Sequence, residues 1–212
     1  MILALIARDI RRAWLGGGAL LPVAFFLLVA ILFPFAVGPD TALLARIGGG
    51  VLWAAALLAA LIPVERLIAP DLANGTIDQL LVRGQSPAAI AFAKLIAHWL
   101  SFAPPILLAA LPAAALLHLP TDALIRVEIG LLIGTPGLAA LAVAVGALVA
   151  GLRGAGAIAG LLLLPLAVPL LIFGAGSLEG GAGALKLLAA VSLLMVAGAP
   201  FVAGAAIRAG LD

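Results

Sequence analysis

Nine carboxylates, eleven Lys and Arg, two His and no Cys make up the ionisable side chains of this 212-residue chain. Without cysteine there is no disulfide, no thiolate nucleophile and no Cys-ligated metal. No G-x-x-x-x-G-K-[ST] phosphate loop occurs, so the chain has no such means of hydrolysing ATP. Ion-coupled transporters keep ionisable groups deep in the membrane. Here none of Asp9, Asp40, Glu65, Asp71, Asp78, Asp122, Glu128, Glu179 and Asp212 falls in the middle of an apolar run. If the chain drives anything uphill, the energy must come from a partner.

The polar side chains that do cluster lie between residues 65 and 94: Glu65, Arg66, Asp71, Asp78, Arg83 and Lys94, six of the twenty charged residues. Within this island Pro70 stops the helix that carries Glu65 and Arg66, and Asn74-Gly75 signals a turn. Thr76-Ile77-Asp78-Gln79 then reads as a capping box, with Thr76 and Gln79 exchanging bonds and Asp78 facing the positive end of the helix dipole. Ile77, Leu80 and Leu81 follow i, i+3, i+4 spacing, which predicts a short helix with one apolar face. Gly84 ends it, and Ser86-Pro87 starts the next helix with a side-chain cap and a proline at its first position. Such a helix either rests on the lipid surface or docks a partner.

The elements around the island are set by composition. With 66% hydrophobic residues, 9% charged and a mean hydropathy of +1.37, the chain belongs in a bilayer. Six apolar runs are long enough to cross as helices: 19–37, 47–64, 95–117, 129–149, 155–173 and 187–207. They are apolar all round rather than alternating, which excludes a transmembrane barrel. The expected fold is an all-α integral membrane protein, a single domain over 1–212 with no separate soluble part.

Residues 1–15 place Arg8, Arg11 and Arg12 on one helical face and Ile2, Ile6, Ile10 and Trp14 on the other, predicting an amphipathic interfacial helix. Gly16-Gly17-Gly18 supplies the elbow into the first span. Ala36-Val37-Gly38 resembles a signal-peptidase site, but the apolar run is too long for a signal core and Pro39 would follow the cut, so the segment is read as retained. With both termini in the cytoplasm, Arg8, Arg11, Arg12, Arg66, Arg83, Lys94, Arg153 and Arg208 lie inside and Arg46, Arg126 and Lys186 outside, an eight-to-three bias in the expected direction. Eleven basic residues spread over helix ends form no nucleic-acid patch, despite a pI near 9.9. Pro136, Pro165 and Pro169 predict bends in the fourth and fifth spans, and the pairs Gly130/Gly134 and Gly156/Gly160 allow close helix approach, within one subunit before a dimer seam.

An ordered series of short motifs runs through the chain: Leu32-Phe33-Pro34 with Gly38-Pro39, Leu43-Leu44-Ala45-Arg46-Ile47, Trp53-Ala54-Ala55-Ala56-Leu57-Leu58, Glu65-Arg66-Leu67, Asp71-Leu72, Gly75-Thr76-Ile77-Asp78-Gln79-Leu80, Ala93-Lys94-Leu95-Ile96-Ala97-His98-Trp99, Gly134-Thr135-Pro136, and Leu164-Pro165 through Pro169 to Phe173. In order and spacing this series resembles the haem exporter protein B family (CcmB), from about residue 8 onward. Departures are Pro70, where the family often has a polar residue, and a short outer loop at 174–183.

The resemblance implies the permease-like membrane subunit of an ABC complex of cytochrome c maturation in the bacterial inner membrane. It implies a homodimer with two copies of the ATPase subunit CcmA, together with the haem-handling subunit CcmC, the small subunit CcmD and the haem chaperone CcmE. ATP is then bound by the partner, and haem is the transported or handed-over ligand. By the same analogy 65–86 is the coupling segment, with Glu65, Arg66, Asp71, Gly75, Thr76, Ile77, Asp78, Gln79, Leu80 and Leu81 contacting the ATPase. Ile77, Leu80 and Leu81 are expected to enter an ATPase groove, and Asp78 and Gln79 to hold register.

His98 and Trp99 are residue types that ligate and stack on haem, and Arg46 could meet a propionate. Their plainer readings are a packing histidine, a packing indole and a lipid-phosphate contact. His118 reads as solvated. No Trp-rich outer motif of the haem-handling partners is present, with only Trp14, Trp53 and Trp99 in the chain. Three functions follow: a permease-type subunit through which ATP hydrolysis by a partner drives haem export or delivery or the release of the haem-loaded chaperone, a membrane anchor for the ATPase with haem handled elsewhere, or an unrelated facilitator.

Overall fold

A computed structural model describes residues 1–179 and 182–210. The outer loop read at 174–183 lies partly, and Asp212 wholly, outside the described residues. All regular structure among them is helical: α1 (Ile2–Leu15), α2 (Leu20–Val37), α3 (Thr41–Leu61), α4 (Val64–Leu67), α5 (Ala69–Ala73), α6 (Thr76–Val82), α7 (Pro87–Leu116), α8 (Thr121–Leu148), α9 (Ala155–Gly176) and α10 (Ala182–Ala209), with a 3-10 turn at Ser177–Glu179. Six of these helices are long and apolar enough to cross a membrane: α2, α3, α7, α8, α9 with its 3-10 extension, and α10.

Four of the spans depart from the predicted bounds by more than a turn, and in two of them, α3 and α7, a side-chain cap marks the new start. Such a cap carries a helix past the point where its apolar run stops. Helix α3 starts at Asp40, whose carboxylate accepts from the Leu43 amide at 3.0 Å. Helix α7 starts where the Ser86 hydroxyl accepts from Ala89 N–H at 3.2 Å, the cap expected there, and so runs eight residues ahead of the apolar stretch. What was read as an outer loop from 174 is helix to Gly176 and then the 3-10 turn. Prolines 34, 104, 105, 112, 136, 165, 169 and 200 all lie inside continuous helices.

Successive spans run antiparallel, as glycine contacts at both ends of the bundle show. Gly48 of α3 lies against Leu117 and Leu119 after α7; Gly146 of α8 lies against the Val64 carbonyl and Gly204 of α10 against the backbone of Ala88. Helix α8 is central, with 78% of its most apolar window buried, while only 17% of that of α2 is. The bundle is keyed by Trp53, 1% exposed. Its ring occupies a slot floored by Gly130, Gly134 and Gly174, and a Cβ at Gly134 or Gly174 would come within 2.5 Å of it. The Gly130/Gly134 pair therefore receives a helix of its own chain, as expected. Gly156 and Gly160 do not act as a pair: Gly156 accommodates the Glu65 side chain, and nothing lies near a Cβ at Gly160.

Candidate functional site

The end of the bundle that carries α1 and the 62–86 segment gathers the charged residues. Glycines 16–18 turn the chain between α1 and α2, with Gly17 at φ +68° in the left-handed region. This turn lays α1 back along α7. Leu5 is buried there with Ile68, Ile77, Ile90 and Leu95, and Ile2 and Ile6 pack at the margin.

The face of α1 that bears Arg8, Asp9 and Arg12 is therefore turned toward Asp71 and Lys94, with Asp9 largely covered, Arg8 part-buried and Arg12 still exposed. Lys94 Nζ donates to Asp71 Oδ2 at 2.5 Å and to Asp9 Oδ2 at 3.1 Å. Arg8 binds Asp71 and, through Nε, Asp9 Oδ1 at 2.8 Å; Arg12 Nη1 reaches Asp71 Oδ1 at 3.2 Å. Five side chains from α1, α5 and α7 so form one network of three cations and two carboxylates. The side chains of Asp71 and Lys94 are 3% and 5% exposed. Burial disfavours the ionised carboxylate, but Lys94 and Arg8 outweigh it and hold Asp71 below the usual carboxylate range. Burial likewise opposes the charge of Arg8, and the bonds and attraction of Asp9 and Asp71 raise its value further.

Of the residues expected to form a coupling segment, the structure divides two groups by burial. Asp71 is internal, whereas Glu65 and Arg66 are exposed. Pro70 does not merely stop a helix; it lies in the first turn of α5, where its missing N–H costs nothing. The capping box at Thr76 is not formed. Gly75, at φ +69°, precedes α6, and the Asn74 side chain accepts from Thr76 N–H at 3.0 Å and from its hydroxyl at 2.6 Å. Asn74 therefore outcompetes Gln79 for Thr76. Ile77 is fully buried and Leu80 and Leu81 pack beside it against this chain's own core, so the expected insertion of Ile77 into a partner is corrected. The outward face of α6 carries Asp78, Gln79, Val82 and Arg83, with Val82 88% exposed.

Beside the charged network lies a cavity of about 310 Å³, enclosed by α1, the glycine turn, the start of α2, residues 62–71 and α7. His98 lines it, is 7% exposed, and its buried Nε2 has no hydrogen-bond partner; its ring packs on Phe102 with centroids 5.6 Å apart. Trp99 points elsewhere, donating from Nε1 to Thr135 Oγ1 at 3.2 Å. Arg46 is exposed at the far end of α3, some sixteen residues, or about 24 Å of helix, from the cavity residue Ile62. Arg46 and the His98 cavity therefore lie toward opposite ends of the bundle. His118, with φ +54°, ends α7 on the Arg46 side. Among the described residues no group of three or more His, Cys, Asp or Glu could hold a metal ion.

Sequence reasoning missed the network and the cavity, though both leave a trace. Lys94, Ala97, His98, Ser101 and Phe102 recur at i, i+3, i+4, i+7 and i+8, a single helical face whose polar members interrupt an otherwise apolar span.

Comparison with known proteins places this architecture. A protein-family model described as CcmB protein matches residues 1–210. The chain is 44% identical to heme exporter protein B of Rhodobacter capsulatus over 162 residues, covering 76% of this chain and 74% of that one. It is 47% identical over 137 residues to heme exporter protein B of Bradyrhizobium diazoefficiens, covering 64% of this chain and 61% of that protein. The corresponding protein of Haemophilus influenzae is 39% identical over 165 residues, 77% of this chain and 75% of the relative. These matches overturn the reading of an unrelated facilitator: with six apolar spans and a family match along almost its entire length, this chain belongs to the CcmB protein family.

Proposed function

We propose that this chain is the membrane subunit of an ATP-driven haem export complex serving cytochrome c biogenesis in a bacterial inner membrane, and that a partner ATPase docks on the outward face of α6. Family membership supports haem export as the setting. The observation that supports the docking face is its division of labour: Ile77 anchors α6 to the bundle while Asp78, Gln79, Val82 and Arg83 are left to solvent. A helix rooted by one face and free on the other can carry a push from a soluble partner into the spans it is rooted in. The push has a route, because α5 is tied through Asp71 to α7 and α1.

The partners in this reading are an ATPase subunit of the CcmA kind, which binds ATP, a CcmC-like haem-handling subunit, a small CcmD-like subunit and a CcmE-like chaperone, with two copies of this chain per complex. Haem is cargo. A second reading, in which the chain anchors the ATPase and haem passes through another subunit, is favoured by the separation of Arg46 from His98, which leaves those two without a shared haem.

Val82→Asp together with Arg83→Glu should abolish co-purification of the ATPase while the chain still inserts in the membrane. An intact complex would refute the docking face. Leu80→Asp with Leu81→Asp should instead lower the yield of the chain itself. Reconstituted vesicles separate the two readings: nucleotide-dependent haem transfer is lost without this chain in both, but haem crosslinks to this chain only in the first.

A further inference from the structure

The wall that α7 gives to the cavity is graded. Over about 12 Å of helix it passes from the Lys94 ammonium through His98 and Ser101 to the Phe102 ring. The opposite wall is apolar near Leu21 and Pro22 and cationic at Arg12 and Arg66. The space is thus charged at the end nearest α5 and greasy at the end inside the bundle, which suits an amphiphile rather than a compact polar solute. The charge balance specifies the head. Among the described residues Arg66 makes no ion pair. Arg12 holds Asp71 by one 3.2 Å contact with its side chain 59% exposed. Of the network, Arg12 and Lys94 face the cavity together with Asp9 and Asp71, two cations against two carboxylates, so the excess positive charge on its wall is that of Arg66.

A second observation points to a ligand: His98, more than nine-tenths buried on this wall, lacks a partner for Nε2 among the described residues. An unmet buried nitrogen is costly in an apolar surrounding. Ser101 does not relieve it, since its hydroxyl donates back to the Ala97 carbonyl at 2.8 Å. Its lining is drawn from the start of α2, the residues just past α3 and the first half of α7, toward one end of the spanning bundle.

We infer that this cavity is a binding site for an anionic phospholipid, its phosphodiester held by Arg66 and Arg12 with His98 as a further polar contact, and its acyl chain running inward past Pro22 and Phe102. The site does not depend on the haem-export reading. A lipid held there would bridge α1 to the segment 62–71 and to α7, all of which contribute to the walls.

The test uses the full chain in its complex, in nanodiscs containing a trace of photoreactive phosphatidylglycerol. Crosslinks should map to α7 between Lys94 and Phe102 and to α1. They should fall at least tenfold in Arg66→Gln, an exposed position that does not threaten folding, and in Ala97→Phe, which fills the cavity. Excess phosphatidylglycerol should compete, and inorganic phosphate should not. Labelling unchanged in both variants overturns the proposal, as does equal protection by phosphate alone, which would make the site one for the free anion. Competition by haem but not by phosphatidylglycerol would also overturn it, assigning the cavity to cargo.

Discussion

Asp71 is the residue on which the charged junction turns, since its carboxylate takes contacts from Arg8, Arg12 and Lys94. Removing one member of a buried pair leaves the rest uncompensated, at a cost of about 3–5 kcal/mol. Lys94→Met or Asp71→Asn should each destabilise on that scale, and the double variant should lose less than the sum; a double-mutant cycle from unfolding in detergent reads the difference. The same group sets a pH dependence. Its folded value lies below the ordinary 3.8, so the stability it contributes is complete above 3.8 and is lost as pH falls through the folded value. The melting temperature should drop in that acid window, and Asp71→Asn should flatten the drop. Trp53 makes a second residue-scale prediction. Gly134→Ala puts a methyl 2.5 Å from a ring already confined by Gly174. Overpacking costs about 1–3 kcal/mol, more than the helix propensity it gains. The same change at Gly160, with nothing near, should be tolerated.

At the scale of elements, α6 shows why a periodic pattern does not say which way a face points. The spacing of Ile77, Leu80 and Leu81 identified an amphipathic helix correctly, yet the apolar stripe could have met a partner, a lipid or the chain itself. It meets Ile68 and Ile90. The short connection from Val82 to α7 through Gly84, at φ +78°, folds α6 back so that burial against its own bundle is the nearest option. Helix α1 teaches the same lesson with charge: three arginines on a wheel mark a polar face, and only the tertiary structure shows a buried aspartate on another helix taking contacts from two of them. Arg11, by contrast, is exposed, so Arg11→Gln should leave the melting temperature unchanged while Arg8→Gln lowers it.

For the whole molecule, the absence of native cysteine gives a direct test of orientation. Single substitutions Arg83→Cys and Asp40→Cys should label from opposite sides of the membrane, the first from the cytoplasm. Labelling of both from one side would refute the antiparallel arrangement that places α3's two ends apart, and reversal would refute the assignment made from basic residues. A complex that couples ATP hydrolysis across this bundle should also lose coupling, measured as haem transfer per ATP, when Asp71 is changed even if the ATPase still binds, because the link from α5 into α7 is then cut.

The apolar runs by themselves determined six spans and an all-helical fold, because in hydrocarbon every backbone group must be bonded within its own helix. Ordered motifs carried the family, and Ser86 carried the start of α7. Contacts between helices distant in sequence were another matter. That Asp71 and Lys94 would pair across 23 residues and recruit α1 from 63 residues away, that Ile77 would turn inward, and that a partnerless His98 would line a cavity were decided only by tertiary packing. Periodicity records which residues share a face, and the energy of that face depends on what the rest of the chain brings to it.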